Sequence, residues 1–338
     1  MQQSRFQSTI PSLLVSLTAV IACAIPNSSL AQQIAPPVSS EKTPGVVGNH
    51  SQQPIADPPE LNSCDVKTAN FVDVANRTQA EIVKHGADNV LLVVDVDNTT
   101  LAMDQPLGSD QWYSWQYDFI FRDVESPFRV AKDLNELLKI QGTLFELGSM
   151  HPPEPSLPEL ISAIQEAGCT TIVLTSRGPE FRAATERELE RNGYNFEDSA
   201  LKINEPSRGR FLPYDKARPN THGLSKQELE TLRNPRPVSY SRGIFMTAGQ
   251  HKGYMLRTLL ARSPRTFKAI VFADDHEKHT TRMTQAFSDS AITTACFHYL
   301  HEQPNVDAFR ESDKEAIARK WEMLSGAIGE AFDTKKLK

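Results

Sequence analysis

Asp95 and Asp97 stand two apart at the end of the apolar run Leu91-Leu92-Val93-Val94. Side by side, two carboxylates repel unless a metal ion or a proton lies between them. A pair with split duties is also a usual way to run acid and base steps at one site. Another pattern that begins Asp-x-Asp is a calcium loop of the EF-hand type, which needs Gly at its sixth position and Glu at its twelfth. Thr100 and Pro106 stand there, which argues against it. The plainer alternative is an acidic turn after a strand, since Asp and Asn form turns readily.

Three more places carry chemistry. Thr175, Ser176, Arg177 and Gly178 follow Thr170-Thr171-Ile172-Val173-Leu174. Hydroxyls at a strand end, just before the amino end of a helix, form an anion site or simply cap that helix. Lys252, within Gly249-Gln250-His251-Lys252-Gly253, stands where a helix begins. The helix dipole disfavours a cation there, so Lys252 is either a recruited charge or a solvated surface lysine. Asp274 and Asp275 end the run from Lys268 to Ala273, and adjacent carboxylates are again costly without a cation.

These places need a sheet that delivers them to one edge. The apolar runs are short and β-branched, as strands buried on both faces are. Ile244-Phe245-Met246-Thr247 and Ala291 to Phe297 read as two further strands. Helices alternate with them. One is expected over about 66–85, with Phe71, Val74, Ala75, Ile82 and Val83 on one face and Gly86 as its stop. Another starts near Ser156, which with Glu159 makes a capping box, and ends at Gly168. Others run from Pro179 towards Gly193, from Tyr254 to Ala261, and over about 314–328 with Ala316, Ile317, Trp321 and Leu324 on one side. The alternation predicts an α/β fold, a Rossmann-like doubly wound parallel sheet covered on both faces. Ligands bind such sheets at the carboxyl ends of the strands, where these residues fall.

The flanks differ in composition. Arg5, a largely apolar run from Ile10 to Ile25 and Ser29-Leu30-Ala31 read as a signal peptide over 1–31, so the chain is expected to be exported, periplasmic or secreted. Val20-Ile21-Ala22-Cys23 also resembles a lipoprotein cleavage box, which would leave Cys23 acylated on a membrane. Residues 32–61 are rich in Pro, Ser and Gln and read as a disordered linker. The remainder, 62–338, is near the upper limit for one hydrophobic core. A net charge of −6 argues against a nucleic-acid or anionic-membrane binder. Cleavage after Ala31 leaves Cys64, Cys169 and Cys296, an odd set without zinc spacing. That excludes a disulfide scaffold and suggests buried thiols.

Taken together in this order, the four places resemble the motifs of the haloacid dehalogenase-like superfamily of phosphotransferases. Asp95-Val96-Asp97-Asn98-Thr99 matches its first motif, Thr175 its second, Lys252 its third and Asp274-Asp275 its fourth. The resemblance spans about 89–298. Gly108-Ser109-Asp110-Gln111-Trp112, together with Gly249 to Gly253, looks like an uncharacterised secreted bacterial branch of it. The resemblance implies a magnesium-dependent phosphomonoester hydrolase acting on a small phosphorylated substrate. Asp95 would be the nucleophile that becomes an aspartyl-phosphate. Asp97 would protonate the leaving oxygen and then activate water. Thr175 and Lys252 would hold the phosphoryl group, with Thr99, Ser176 and Arg177 as further substrate-binding residues. Magnesium would sit on Asp95, the backbone carbonyl of Asp97, and Asp275 or Asp274. True dehalogenases of the superfamily lack the second aspartate, so Asp97 points to phosphate chemistry. A phosphotransferase to an acceptor other than water and a binding protein on an inactive fold of this kind are the alternatives. One departure stands out: relatives often carry another acid three or four residues after the last aspartate, where this chain has Lys278 and His279.

Relatives insert a mainly helical cap after the first motif, here about 101–155. That length is too great for a structureless loop in a compact domain. Trp112, Trp115 and Phe119 recur at helical spacing in it, with Tyr113 and Tyr117 nearby, as its own small core or as an aromatic lid. A second insertion, about 194–242, carries Arg208, Arg210, Lys216 and Arg218, as a solvated basic loop or a clamp for a polyanion. Ser225 and Glu228 cap a short helix inside it.

The export reading has a direct check. Amino-terminal sequencing of protein from the producing cell should begin at Gln32. A lipid-blocked Cys23 would favour the lipoprotein form, and an intact Met1 would contradict both.

Overall fold

The computed structural model describes residues 64–204 and 209–332. The expected signal peptide, Cys23, the linker over 32–61 and Arg208 lie outside them.

In chain order the elements begin with β1 (Cys64–Thr68), α1 (Phe71–His85), β2 (Val90–Val94) and β3 (Ala102–Met103). Then come α2 (Asp110–Phe121), α3 (Leu134–Leu147), β4 (Met150–His151), α4 (Leu157–Glu166), β5 (Thr170–Thr175) and α5 (Arg182–Arg191). The second half holds β6 (Arg210–Phe211), α6 (Lys226–Thr231), β7 (Val238–Ser241), β8 (Ile244–Met246) and α7 (Lys252–Leu260). It closes with β9 (Ala269–Asp274), α8 (Glu277–Phe287), β10 (Thr293–Tyr299), α9 (Gln303–Glu311) and α10 (Lys314–Phe332).

Among the described residues, one sheet runs in the order β1-β10-β9-β2-β5-β8-β7-β6. From β1 to β8 neighbours are parallel, and β7 and β6 add an antiparallel edge. The fold is therefore α/β with a mostly parallel central sheet. From β2 the chain first moves outward through β5 and β8, then returns to β9 on the other side. That reversal makes β2 the switch point, where a crevice opens at the carboxyl ends. Register completes the arrangement. Val94 pairs with Ala273 of β9 and Val173 of β5, so Asp95 comes level with Asp274 one step on.

Alternate strand residues face opposite sides of a sheet. Leu92, Val94, Val173 and Val271 join a cluster with Phe71 and Val74 of α1, Ile161 of α4 and Leu189 of α5. Leu91, Val93, Ile172 and Phe272 join another with Leu256 and Leu259 of α7 and Met283 of α8. Both faces are thus covered, which is why β2, β5 and β9 are unbroken apolar runs. A third cluster unites Trp112 of α2 with Leu137 and Leu144 of α3, Phe309 of α9 and Ile317 of α10. Trp115 meets Phe119, Phe128 and Phe309 edge-on or tilted, at 5.4–6.1 Å between centroids. The aromatics of the 101–155 segment therefore form its core, shared with the chain's last helices. Tyr117 and Phe121 alone of that aromatic series lie exposed.

Several boundaries differ from the sequence expectation. The first helix starts at Phe71, not Val66, because the preceding residues pair with β10 as an edge strand. Val83 is exposed rather than on the packed face. Ser156 is in the helical region and caps nothing; a turn from Glu154 to Leu157 and Pro158 in the first turn start α4 instead. The capping box of Ser225 and Glu228 does form. Residues 194–242 are more than a basic loop, since β6 and β7 extend the sheet. The two-residue turn into β8 uses positive φ at Arg242 and Gly243, as tight hairpins require. Cys169 and Cys296 are buried thiols, as expected. No helix among the described residues is long and apolar enough to cross a membrane.

Candidate functional site

The centre of the site is a buried ammonium. Lys252 is the first residue of α7, behind His251, whose Nδ1 accepts the Tyr254 amide at 3.2 Å. Its side chain is 0% exposed and its Nζ lies 2.6 Å from both Asp274 Oδ2 and Asp95 Oδ1. The contact to Asp274 is a hydrogen bond. Asp95 Oδ1 is ion-paired with the same ammonium. Gly253 makes this placement possible. A Cβ there would stand 2.6 Å from the Arg282 carbonyl oxygen and 2.6 Å from Ala286 Cβ, so α7 packs directly on α8.

Asp274 has both oxygens engaged. Oδ1 accepts the His276 amide, and the His279 ring bridges the two at 3.0 and 3.2 Å. Asp275 is freer. Its Oδ2 accepts from Asn98 Nδ2 at 3.1 Å, while Oδ1 is buried without a partner. Asp95, Asp274 and Asp275 each offer an oxygen within 4.8 Å of the others. An all-oxygen set with an orphaned buried carboxylate oxygen fits a hard cation such as magnesium. Of the two adjacent aspartates, Asp275 is the better ligand, because Lys252 and His279 already occupy Asp274.

Asp97 is held apart from this group. Arg177 Nε and Nη2 grip its two oxygens at 2.9 and 2.7 Å, and Nη1 donates to Thr185. The guanidinium stacks over Phe145 at 3.9 Å. Arg177, expected at the substrate, directs donors to Asp97, Thr185 and the Met150 sulfur, which makes it a clamp on Asp97. The carboxylates that cluster are Asp95, Asp274 and Asp275, so what Asp97 could offer a metal is its backbone carbonyl. Thr175 is fully buried and its hydroxyl accepts the Arg177 amide at 3.0 Å, leaving its proton to donate. Thr99 is also fully buried, with a hydroxyl that has no partner. The Ser176 carbonyl accepts from Gly249, tying the β5 end to the loop before Lys252.

The charges are unbalanced. Burial pushes the Asp95 carboxyl up to about 7; the Lys252 charge opposes the rise, and Asp274 and Asp97 add to it. Burial, with Asp110, Asp274 and Asp95 nearby, drives Asp275 well above the carboxylate range. Burial also resists ionisation of Asp274, but Lys252 and His279 hold that carboxyl well below its ordinary value. The positive charge in the cluster is Lys252 and the His276 imidazole, which Asp110 and Asp275 push up to about 10; it faces Asp95, Asp274, Asp275 and Asp110.

Two of the basic residues of the second insertion have partners of their own. Lys216 bonds the Leu232 carbonyl and Arg218 pairs with Asp215. Asn98 and His279 are site residues that sequence reasoning passed over. Asn98 had a signal, since a residue inside Asp-x-Asp-x-Thr must turn the chain, and its φ is 55°. His279 stands five residues beyond Asp274, which brings its ring back over the strand end from the first turn of α8.

Residues 67–332 match the model of a family described as a protein of unknown function, DUF2608. No curated protein and no solved structure matches the chain.

Metal removal should expose the charge imbalance. Without metal, Asp95 keeps its proton in the folded chain up to about pH 7 but loses it near 3.8 when unfolded. Between those values the folded chain binds more protons, so its stability falls as pH rises. Asp95→Asn cannot ionise. In chelator, it should gain on the parent by ~1 kcal/mol per pH unit from about pH 4 to pH 7. Urea unfolding of both proteins across that range measures the difference. Parallel stability curves would contradict the placement of Asp95.

Proposed function

The chain belongs to the DUF2608 family, and we propose that it is a magnesium-dependent phosphomonoester hydrolase working through an aspartyl-phosphate on Asp95. The observation that carries this reading is the meeting of Asp95, Lys252 and Asp275 at the switch point, with a second carboxylate, Asp97, clamped beside them. The finer fold reading belongs to the same proposal: a haloacid dehalogenase-like core with a mainly helical cap over 101–155. Support comes from the order of the motif residues and from α2 and α3, which stand between β2 and β5.

The proposed first step is attack by an Asp95 oxygen on phosphorus. A P–O bond forms to Asp95, the bond to the leaving oxygen breaks, and Asp97 gives that oxygen a proton. In the second step Asp97 takes a proton from water, the water oxygen bonds phosphorus, and Asp95 leaves as the carboxylate with release of inorganic phosphate. The arrangement suits these duties. Each Asp97 oxygen accepts one N–H from Arg177, and a carboxylate oxygen has two lone-pair sites. The clamp therefore fixes the direction of Asp97 while leaving positions for the mobile proton. Lys252 has three N–H bonds, one held by Asp274, so it can hold a phosphoryl oxygen beside Asp95. The hydroxyls of Thr175 and Thr99 have protons to add. Magnesium on Asp95, Asp275 and the Asp97 carbonyl, with Asp274 behind them, would offset the charge of an anion attacking an anion.

The substrate class is a small phosphorylated molecule. The net charge of −6 favours neither nucleic acid nor an anionic membrane as partner. Export through the leader remains part of the proposal, with membrane attachment only through Cys23.

The two aspartates differ in kind, so their variants should differ. The parent should hydrolyse p-nitrophenyl phosphate with magnesium and not in chelator. Asp95→Asn should have no measurable turnover on any ester. Asp97→Asn should lose ~10²–10⁴-fold on an alkyl phosphate, the usual worth of a positioned proton donor. On p-nitrophenyl phosphate its first step should suffer less, since that leaving group needs little protonation. Steady-state and burst kinetics on both esters measure this. Full activity in chelator, or turnover by Asp95→Asn, would remove the mechanism.

A further inference from the structure

The first turn of α2 reaches into the strand-end crevice from outside the sheet. Asp110, its first residue, has Oδ2 3.4 Å from His276 Nε2. Asp110, Asp275 and His276 each present an atom within 4.8 Å of the others, and Asp275 also belongs to the set with Asp95 and Asp274. The two groups therefore share the carboxylate whose Oδ1 is buried without a partner. Lys278 and His279 further along do not support it: Lys278 is exposed, and the His279 ring is spent on Asp274. Support comes from Asn98 on Oδ2, from His298 at the Asp275 carbonyl at 2.9 Å, and from the adjacent His276, which meets Asp110 of the 101–155 segment.

Asp110 is held firmly enough to have such a role. Ser109 caps α2 by accepting the Trp112 amide at 3.3 Å. Gln141 of α3 donates to the Gly108 carbonyl at 2.6 Å. Gly108 has φ 86° and would put a Cβ 2.8 Å from Leu144 Cβ, so the loop lies hard against α3. Trp112, 1% exposed, anchors the turn in the segment's core. Packing thus sets the backbone of this turn, and the Asp110 carboxylate meets His276 from it.

We propose that Asp110 is a positioning residue for the divalent cation, holding His276 against Asp275 and adding a carboxylate that would accept from water bound to the cation. The inference rests on the magnesium site proposed above. Magnesium keeps several waters when bound by one or two carboxylates, and carboxylates that hold those waters or orient the ligands tune its affinity. Because Asp110 belongs to α2, cation binding and the seating of the 101–155 segment become linked. Linkage is reciprocal: what tightens the cation also tightens the seat.

The test uses the full chain and magnesium chloride, with Asp110→Asn and, as a control, Ser109→Ala. Ser109→Ala removes the helix cap and keeps the Asp110 carboxylate, with its turn still held by Gly108, Gln141 and Trp112. Calorimetry gives the magnesium affinity, and hydrogen exchange gives protection of the first turn of α2 with and without magnesium. Asp110→Asn should bind magnesium ~10–100-fold more weakly, the usual cost of losing such a partner. Saturating magnesium should restore its kcat on p-nitrophenyl phosphate, with KM unchanged. Magnesium should slow exchange at the first turn of α2 in the parent and not in Asp110→Asn. Ser109→Ala should melt earlier yet keep the parent's magnesium affinity. Equal affinity in Asp110→Asn and the parent would overturn the role of Asp110 and leave the hydrolase reading standing. Equal weakening by both substitutions would reduce Asp110 to a helix-start residue and also overturn it. A parent that binds no magnesium would overturn the metal site, and this inference with it.

Discussion

Lys252 Nζ ties the start of α7 to the ends of β2 and β9, and the arrangement of the strand-end crevice depends on it. The ammonium is fully buried and contacts Asp95 and Asp274 at 2.6 Å each. Removing one partner of a buried pair costs ~3–5 kcal/mol, because the remaining charge is stranded away from water. Here the stranded charges would be two carboxylates, with Asp275 a third beside them. The helix dipole makes the position still less natural for a cation. Charge in the crevice is thus a constraint on the fold as well as a tool. Lys252 and the His276 imidazolium stand against Asp95, Asp274, Asp275 and Asp110, which leaves a deficit of positive charge, and burial answers it by keeping protons on Asp95 and Asp275. In the proposed reaction a divalent cation held by Asp95 and Asp275 would offset that charge and leave Asp95 ionised to attack.

Parts of this were legible in the chain because they are local. Apolar runs such as Val90–Val94 and Ala269–Asp274 declare strands buried on both faces, and the polar residues at their ends declare an edge. Lys252 was legible from its place at a helix start. β1 was not, since Cys-Asp-Val-Lys-Thr is half polar and pairs only with β10, at the sheet margin. Ser156 and Glu159 have the spacing of a capping box, but the turn at Glu154 carries the chain into helical geometry one residue early. The Arg177 clamp on Asp97 spans 80 residues, and Asp110 meets His276 across more than twice that separation. No spacing rule links such pairs; only the sheet order brings them together.

The 101–155 segment adds a second level of organisation. Its helices share a core with α9 and α10, so the chain's end braces a segment that leaves the sheet near its middle. That bracing fixes the first turn of α2, and with it Asp110, over the strand ends. Arg177 works from the opposite side, with Phe145 of α3 beneath its guanidinium. Both contacts connect the segment to acidic residues of the crevice. The packing of apolar side chains therefore bears on the positions of charged groups: Asp110 stands beside Trp112 of one cluster, and Arg177 lies over Phe145 of another.

The most direct measurement is of the Asp95 side chain during turnover. The protein is mixed with p-nitrophenyl phosphate and magnesium, quenched in acid within milliseconds, digested and weighed by mass spectrometry. The proposed chemistry requires a phosphoryl group on Asp95, and more of it when Asp97→Asn slows the attack of water. A phosphoryl group on Asp97, or steady release of p-nitrophenol with Asp95 never modified, would contradict it.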